Sequence, residues 1–156
     1  MAEKKKGEKV AIENRKARFN YHIEDTLEAG MVLHGTEVKS LRGGRGNLQD
    51  AYAEIKDGEV WVVNFHISPY EQANRFNHEP RRLKKLLLNR KEINQLTGMT
   101  QQKGYTLVPL KVYFTRGKAK MLLAIAKGKK LHDKRDDIAE RDAKREIDRS
   151  IKERNQ

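Results

Sequence analysis

Cysteine is absent from the 156 residues of this chain. The chain therefore has no disulfide framework, no thiolate metal site and no cysteine nucleophile, which suits a reducing cytoplasm. It also lacks a signal peptide and any long apolar run, so we expect a cytoplasmic protein that does not associate with membranes. Only 37% of its residues are hydrophobic, whereas 36% are charged. The hydrophobic core must therefore come from part of the chain.

Patterns of catalytic and metal-binding residues are missing as well. The five histidines have no metal-ligand spacing, and neither a GxSxG motif nor a dinucleotide-binding fingerprint occurs. The glycine-rich RGGRG at residues 42–46 does not match a phosphate-binding P-loop. It is either a helix end followed by a turn or a backbone contact for a phosphate. We predict that the protein is not an enzyme and needs no cofactor or metal.

Positive charge is what the chain has in excess. Its 34 lysines and arginines outnumber 22 acidic residues, which gives a net charge of +12. The electrostatic field of such a net positive charge attracts polyanions. Nucleic acid is the best match because contacts to phosphates release counterions. A membrane surface fits less well, since no segment places basic and apolar residues on opposite faces.

The charge and the apolar residues divide the chain into three parts. Residues 1–18 contain seven lysines and arginines and predict a flexible basic arm, which over residues 1–9 is equally compatible with a terminus that only aids solubility. Residues 19–126 contain most apolar runs and predict the folded domain. Residues 127–156 carry eleven basic and eight acidic residues and predict a charged tail.

The folded domain reads as mainly β. Alternation from Phe19 to Ile23 predicts a first strand, and the apolar run at residues 31–33 predicts another. Asp57-Gly58 and Arg116-Gly117 each lie between β-rich runs and predict hairpins, while Pro109 predicts an edge or a bulge. The hairpin strands are expected over residues 51–56, 59–67, 105–115 and 118–126. About six antiparallel strands at this spacing predict an OB-like barrel, a fold that commonly binds RNA.

Two short helices are expected between these strands. The first covers residues 37–42, with Thr36 as its cap and Gly43 ending it in the left-handed region. Lys39 and Arg42 then share one face, and we expect them to contact phosphates. In the second helix, Asn89 and Glu92 resemble a capping box, Ile93 and Leu96 form the inner face, and Gly98 ends it.

The run RRLKKLLLNRK at residues 81–91 contains six basic residues and no acid. Leu83, Leu86 and Leu87 are expected to anchor it while the long basic side chains stay in solvent. It is either a solvated surface or a contact for phosphates, and the missing acids favour the second interpretation.

In the tail, KGKKLHDKR at residues 127–135 follows the apolar run MLLAIA. Between residues 136 and 154 a thin apolar stripe recurs every four positions, which predicts a helix about 28 Å long. Because this helix has little apolar surface to bury, we expect it to be disordered in the free protein and helical when bound. His132 is either solvated or stacks on a base or donates to a phosphate.

Five ordered motifs identify a resemblance that spans nearly the whole chain: EAG at 28–30, GTEVKSLRGG at 35–44, KLLLNRKEI at 85–93, GYTLVPL at 104–110 and GKKLHDKR at 128–135. Together they resemble SmpB, the bacterial family of SsrA-binding proteins. The resemblance implies an OB-like barrel with short helices and a C-terminal tail that is unstructured in the free protein.

The resemblance also implies a function. SmpB proteins bind the tRNA-like domain of transfer-messenger RNA and bring it, with elongation factor Tu bound to the RNA, to stalled ribosomes. The barrel replaces the missing anticodon arm, and the tail enters the small-subunit decoding region and the empty messenger channel. We accordingly expect a monomer whose partners are this RNA and the ribosome.

Site residues follow from the resemblance and from charge. Asn14, Glu28 and Leu87 occupy family positions that engage the tRNA-like domain, and Lys16 is added to Lys39 and Arg42 for that RNA. Phe19 departs from the family's common histidine, which leaves a stacking contact there but no hydrogen bond. The tail residues expected at the ribosome are Lys129, Lys130, His132, Asp133, Lys134 and Arg135.

Two other functions are compatible with parts of the sequence. A general RNA-binding or ribosome-assembly protein fits the charge and the barrel but leaves the tail unexplained. A nuclease would need a metal or catalytic site, and the sequence contains no pattern for one.

Overall fold

The computed structural model describes residues 8–73, 77–102, 104–129 and 131–154. Its strands are β1 (Glu8–Glu13), β2 (Tyr21–Met31), β3 (Gly46–Asn47), β4 (Tyr52–Lys56), β5 (Glu59–Val63), β6 (His66–Ile67), β7 (Lys84–Leu87), β8 (Tyr105–Thr115) and β9 (Lys118–Gly128). Its helices are α1 (Ala17–Asn20), α2 (Gly35–Arg42), α3 (Arg90–Thr100) and α4 (Leu131–Arg154).

Six antiparallel strands close into a barrel. The order is β8-β4-β5-β7-β2-β9, and β9 pairs back with β8 to complete the ring. β1 joins the same edge of β8 as β4, while β3 and β6 form a separate two-stranded pair. The ring closes through short pairings: β2 meets β7 at residues 30–31 and 86–87, and β4 meets β8 at Ala53 and Leu107. The prediction of a mainly β, OB-like barrel with short helices is thereby confirmed.

The two expected hairpins are present. Asp57 and Gly58 have φ angles of 54° and 75°, and Arg116 and Gly117 have 50° and 76°. Two successive left-handed residues match the right-handed twist of the flanking strands. The strand register shifts after Pro109, so this residue marks the expected bulge in β8. The strand expected over residues 59–67 is instead split into β5 and β6.

The core fills the barrel and is closed at one side by α3. Ile93 and Leu96 of this helix are buried, as expected, and the helix runs on past Gly98 to Thr100. Asn89 Oδ1 accepts from the Glu92 N–H at 2.8 Å, which confirms the capping box. A smaller apolar cluster lies outside the barrel, where α1 packs against β8 and β9; it consists of Ala17, Val108, Leu110, Ala124 and Ala126.

The amino-terminal segment differs from the expected flexible arm. Residues 8–13 form β1, which pairs with residues 111–115 of β8. Phe19 lies in α1, so the next strand begins at Tyr21. The basic residues of the arm lie mostly outside residues 8–13, where Lys9 is the one basic residue. Backbone hydrogen bonds to the long strand β8 and the packing of Ile12 against the core therefore order this segment. Residues 1–7 lie outside the described residues.

Helix α2 begins and ends differently from the expectation. Its N-cap is His34 rather than Thr36, and Glu37 Oε1 accepts from the His34 backbone N–H at 2.7 Å. Gly43 has a φ of −85°, so the left-handed residue after the helix is Gly44, with a φ of 72°. The first turn therefore uses a carboxylate to satisfy the free backbone donor.

The tail forms α4, which starts five residues before the expected position 136. All of its described side chains are exposed, including Ile138, Ile147 and Ile151. The guanidinium of Arg141 lies 5.3 Å from the centroid of the Phe19 ring on α1. The transition from disorder to helix on binding stays a prediction. No helix in the described part of the chain is long and apolar enough to cross a membrane.

Candidate nucleic-acid interface

The register of three neighbouring strands places several chemically different residues on one outer face of the barrel. In one row, Glu28 of β2 pairs with Leu122 of β9, which pairs with Lys111 of β8. In the adjacent row, Gly30 pairs with Lys120, which pairs with Tyr113. Side chains two positions apart on a strand share a face. The residues that alternate with these rows, such as Val112 and Met121, lie in the core, so both rows point outward. We call these six residues, together with Leu87, the barrel face.

Leu87 extends this face onto β7. It pairs with Gly30, and 55% of its surface is exposed, whereas the neighbouring Leu86 is fully buried. The expectation that Leu87 anchors its segment in the core is therefore wrong, because strand alternation turns it outward. A Cβ at Gly30 would lie 3.3 Å from the Leu87 Cβ, so glycine leaves a shallow groove here. Lys118 and Lys120 line the same groove.

A hydrogen bond links the two rows. The Tyr113 hydroxyl donates to Glu28 Oε2, and the Lys111 Nζ lies 5.2 Å from the centroid of the Tyr113 ring. Glu28 is exposed, whereas Tyr113 is 3% exposed. An outward carboxylate can accept donors from a base or a sugar hydroxyl. Tyr113 is not among the predicted site residues, although alternation along β8 could have placed it on this face.

Asn14 lies at the edge of the barrel face and is occupied by structural hydrogen bonds. Its backbone N–H donates to the Leu110 oxygen at 2.7 Å. Its Nδ2 donates to the Pro109 oxygen at 3.1 Å and to the Leu48 oxygen at 3.5 Å. These bonds tie the end of β1 to the bulge of β8. Asn14 therefore shapes the surface through its contacts with the protein backbone.

A cleft of about 340 Å³ opens beside Asn14. It is lined on one side by α1, including the exposed Lys16, and contains Tyr21 and the partly exposed Tyr52. Both amide and aromatic side chains face this cleft, together with a cation. Such a combination is suited to a nucleotide, so Lys16 shares a surface with Asn14.

Lys39 and Arg42 do not belong to the barrel face. Both are exposed on α2, where the Lys39 Nζ lies 5.5 Å from the Tyr70 ring centroid and the Arg42 guanidinium lies 5.2 Å from that of Phe114. The structure thus brings Glu28 and Leu87 together, places Asn14 and Lys16 on the cleft beside α1, and leaves Lys39 and Arg42 on a separate surface.

Two basic residues of the run 81–91 serve the fold instead of a partner. Lys84 is fully buried, and its Nζ donates to the backbone oxygens of Phe65 at 2.6 Å, Arg82 at 2.8 Å and Pro80 at 3.3 Å. Burial lowers the pKa of Lys84 to about 8. The expectation that every basic side chain here stays in solvent is wrong. Alternation with the core residue Leu86 was the signal that could have revealed it.

Arg82 forms a largely buried ion pair with Glu37. The Arg82 Nη2 lies 2.6 Å from Glu37 Oε1, and Glu37 is fully buried. Burial alone would raise the pKa of Glu37, but hydrogen bonds from Arg82 and from the His34 N–H outweigh it and hold this pKa below its usual value. The pair fastens α2 to the segment before β7.

A buried histidine on this side of the molecule has no counterpart among the predicted site residues. His78 is 8% exposed; its Nε2 lies 2.9 Å from the Ile67 oxygen and its Nδ1 lies 2.8 Å from Thr36 Oγ1. It connects the irregular segment before β7 to α2. A histidine with two satisfied nitrogens supports the fold and is not positioned as a ligand.

The expected ribosome-binding residues lie around the junction with α4. The backbone N–H of Lys129 donates to the Asn20 oxygen at 2.8 Å, which joins the end of β9 to α1. His132, Asp133 and Lys134 belong to the first turn of α4, and Arg135 follows with an exposed side chain. Lys130 lies outside the described residues. Within the described ranges, no group of three or more histidine and acidic side chains is placed to hold a metal ion.

Comparisons with known proteins agree on one family. The sequence model of the SmpB protein family matches residues 11–153. An SsrA-binding protein of Syntrophomonas wolfei is 63% identical over 155 residues, which cover 99% of each chain. Another, from Acetivibrio thermocellus, is 62% identical over 149 residues, covering 96% of this chain and 97% of the relative.

A solved structure shares the fold as well as the sequence. It is described as "tmRNA-SmpB: a journey to the center of the bacterial ribosome" and is 51% identical to this chain, with a TM-score of 0.66. The match covers 77% of this chain and 85% of the other.

Proposed function

Because this chain belongs to the SmpB family of SsrA-binding proteins, we propose that it binds transfer-messenger RNA and acts with it in trans-translation on the ribosome. The observation that carries this function is identity of 63% over 99% of both chains with an SsrA-binding protein. The protein works in the cytoplasm as a monomer. It supplies shape and charge to the RNA and performs no chemical reaction.

The tRNA-like domain of the RNA is proposed to rest on the barrel face. Glu28 and Leu87 lie one row apart there, joined through Gly30, and Asn14 borders them through the bulge of β8. Lysines supply phosphate contacts, which any polyanion can make. An exposed leucine and a carboxylate supply contacts that depend on the bases and sugars of the particular RNA. Lys39 and Arg42 on α2 are proposed to contact phosphates outside this face.

The tail is proposed to bind a second RNA surface, in the small-subunit decoding region and the messenger channel. The described side chains of its helix are exposed, and its sequence is rich in both charges. The contacts around its start are proposed to come from Lys129, Lys130, His132, Asp133, Lys134 and Arg135. Elongation factor Tu joins the complex through the RNA.

Binding at two salt concentrations tests the first part of this function. The affinity for a transcribed tRNA-like domain is measured against an elongator tRNA competitor, at low and at physiological salt. A preference that persists at physiological salt supports recognition by the barrel, because phosphate attraction weakens for both RNAs as salt rises. If the two RNAs bind equally well and both affinities fall together as salt rises, the result would favour the alternative, a general RNA-binding or ribosome-assembly protein.

Truncation of the chain before Asp133 tests the second part. The truncated protein is expected to keep its affinity for the isolated tRNA-like domain, because the barrel is intact, and to lose tagging of the nascent chain on stalled ribosomes. The full-length protein is the control in both assays. Tagging by the truncated protein would refute the role assigned to the tail.

A further inference from the structure

Glu28 is held by a group that crosses a strand to reach it. Tyr113 lies on β8 and Glu28 on β2, with β9 between them, and yet the tyrosine hydroxyl donates to Glu28 Oε2. Two strand spacings put β8 and β2 about 10 Å apart, a gap that the tyrosine and glutamate side chains span together. The chain therefore places a rigid donor against an exposed acid.

The Tyr113 ring is itself immobilised. It is 3% exposed, lies between Val10 of β1 and Lys120 of β9 in the strand register, and has the Lys111 Nζ 5.2 Å from its centroid. An aromatic residue with only two side-chain torsions and this degree of burial has little freedom to lose. Its hydroxyl is thus a fixed point on an otherwise solvated face.

An exposed glutamate without such a partner samples several rotamers and must be ordered when a ligand binds. A hydroxyl that donates to a carboxylate makes a charge-assisted bond and occupies Oε2, while Oε1 keeps lone pairs for donors of a base or a ribose. Orientation matters here because a carboxylate turned toward the phosphates of an RNA would repel them.

We propose that Tyr113 is a positioning residue that holds the Glu28 carboxylate ready for the base and sugar donors of the tRNA-like domain. This inference rests on the proposed function, in which Glu28 contacts that RNA. Tyr113 itself touches no RNA atom through its hydroxyl. Its effect is on selectivity between RNAs, which a purely structural tyrosine would not alter.

Replacement of the hydroxyl alone tests the inference. Tyr113→Phe keeps the ring and the lysine above it, and is expected to weaken binding to the tRNA-like domain about 3- to 10-fold through lost preorganisation of one side chain. Binding to elongator tRNA is expected to stay unchanged. Tyr105→Phe is the matched control, because Tyr105 is on the same strand with the Lys127 Nζ 4.7 Å from its ring centroid and lies outside the barrel face.

Two changes at the acid complete the test and cover the case in which Tyr113→Phe does not fold. Glu28→Gln removes the charge, and Glu28→Asp keeps the charge but shortens the reach to the hydroxyl. Both are expected to weaken binding to the tRNA-like domain, and adding Tyr113→Phe to Glu28→Gln is expected to cost little more, since the two residues act as one unit.

The outcomes separate the two proposals. If Glu28→Gln weakens binding and Tyr113→Phe does not, Tyr113 has no positioning role and the proposed function stands. The inference is also overturned if Tyr113→Phe lowers the affinity for both RNAs by the same factor. It is likewise overturned if Tyr113→Phe lowers the affinity as much in the Glu28→Gln protein as in the wild type. If Tyr113→Phe does not fold, full affinity of Glu28→Asp overturns it. A wild-type protein without preference between the RNAs overturns the proposed function and this inference with it.

Discussion

The Nζ of Lys84 lies 2.6 Å from the backbone oxygen of Phe65, inside the barrel and without exposed surface. The same amine donates to the oxygens of Arg82 and Pro80, so one side chain satisfies three carbonyl groups. These groups belong to the irregular chain between β5 and β7. Buried carbonyl groups require hydrogen-bond donors. The Lys84 ammonium group supplies them in this irregular part of the chain.

Lys84→Met is expected to lower the free energy of unfolding by about 2 kcal/mol. The substitution keeps the length of the side chain but leaves buried carbonyl oxygens without their donor, at a cost of about 1–3 kcal/mol for each unsatisfied group, partly offset by the removed burial cost of the charge. Urea unfolding followed by circular dichroism measures the effect.

Lys85→Met is the matched control for that substitution. Lys85 is the next residue on β7, and its Nζ lies 3.8 Å from Glu59 in a partly exposed ion pair. Such pairs contribute about 0–1 kcal/mol. Equal losses for the two variants would contradict the role assigned to the buried amine.

Stability is also expected to depend on pH through Lys84. Burial lowers its pKa to about 8 from an ordinary value of 10.5. Between these values the unfolded chain binds more protons at this residue than the folded chain, so the free energy of unfolding rises with pH. Relative to Lys84→Met, the wild type is expected to gain about 2 kcal/mol between pH 7.5 and 9.5. Urea midpoints at both pH values measure this; a constant difference between the two proteins would contradict it.

Gly46 and Gly98 are expected to respond oppositely to alanine. A Cβ at Gly46 would lie 3.0 Å from Leu41 Cδ2 and 3.1 Å from Ile12 Cδ1, so Gly46→Ala should destabilise by about 1–3 kcal/mol through overpacking. At Gly98, inside α3, such a Cβ would have no described atom within 4 Å apart from its chain neighbours and the backbone of its own helix. Gly98→Ala should stabilise by about 0.5–1 kcal/mol through helix propensity. Thermal unfolding of both variants measures the pair, and shifts of the same sign would refute the packing described at Gly46.

Leu87→Ser is expected to weaken binding to the tRNA-like domain about fivefold while leaving stability nearly unchanged. Leu87 is 55% exposed, so its apolar surface becomes buried only under a ligand, for about 1 kcal/mol. Leu83→Ser is the control, because Leu83 is 43% exposed beside the same strand and lies outside the barrel face. Equal losses of affinity would mean that binding does not distinguish the barrel face from its surroundings.

A synthetic peptide of residues 131–154 is expected to show little helix in plain buffer. Its described side chains are exposed in the whole protein, and a helix with so little apolar surface is marginal by itself. Far-UV circular dichroism at low concentration measures the helix content. A strongly helical spectrum would contradict the expected ordering of the tail on binding.

Local chemistry made the turns and helix starts predictable. Asp57-Gly58 and Arg116-Gly117 adopt left-handed backbone that few residues tolerate, and Asn89 with Glu92 satisfies free backbone donors within one turn. Both effects act between residues close in the chain, so a pattern of a few letters suffices. The predicted N-cap of α2 was wrong because His34 and Thr36 are both possible starts for this helix.

The sequence by itself determined the mainly β class, its hairpins, the basic character and the family of the protein, and narrowed Pro109 to an edge or a bulge, because these follow from alternation, turn chemistry, net charge and ordered motifs. Only the tertiary structure decided that β1 joins the sheet, that residues 84–87 form a strand whose alternation puts Lys84 inside and Leu87 outside, and that Tyr113 donates to Glu28 across β9. Each of these depends on residues distant in sequence but adjacent in the strand register. The identity of a residue and of its neighbours in sequence does not reveal which residue lies beside it on the adjacent strand.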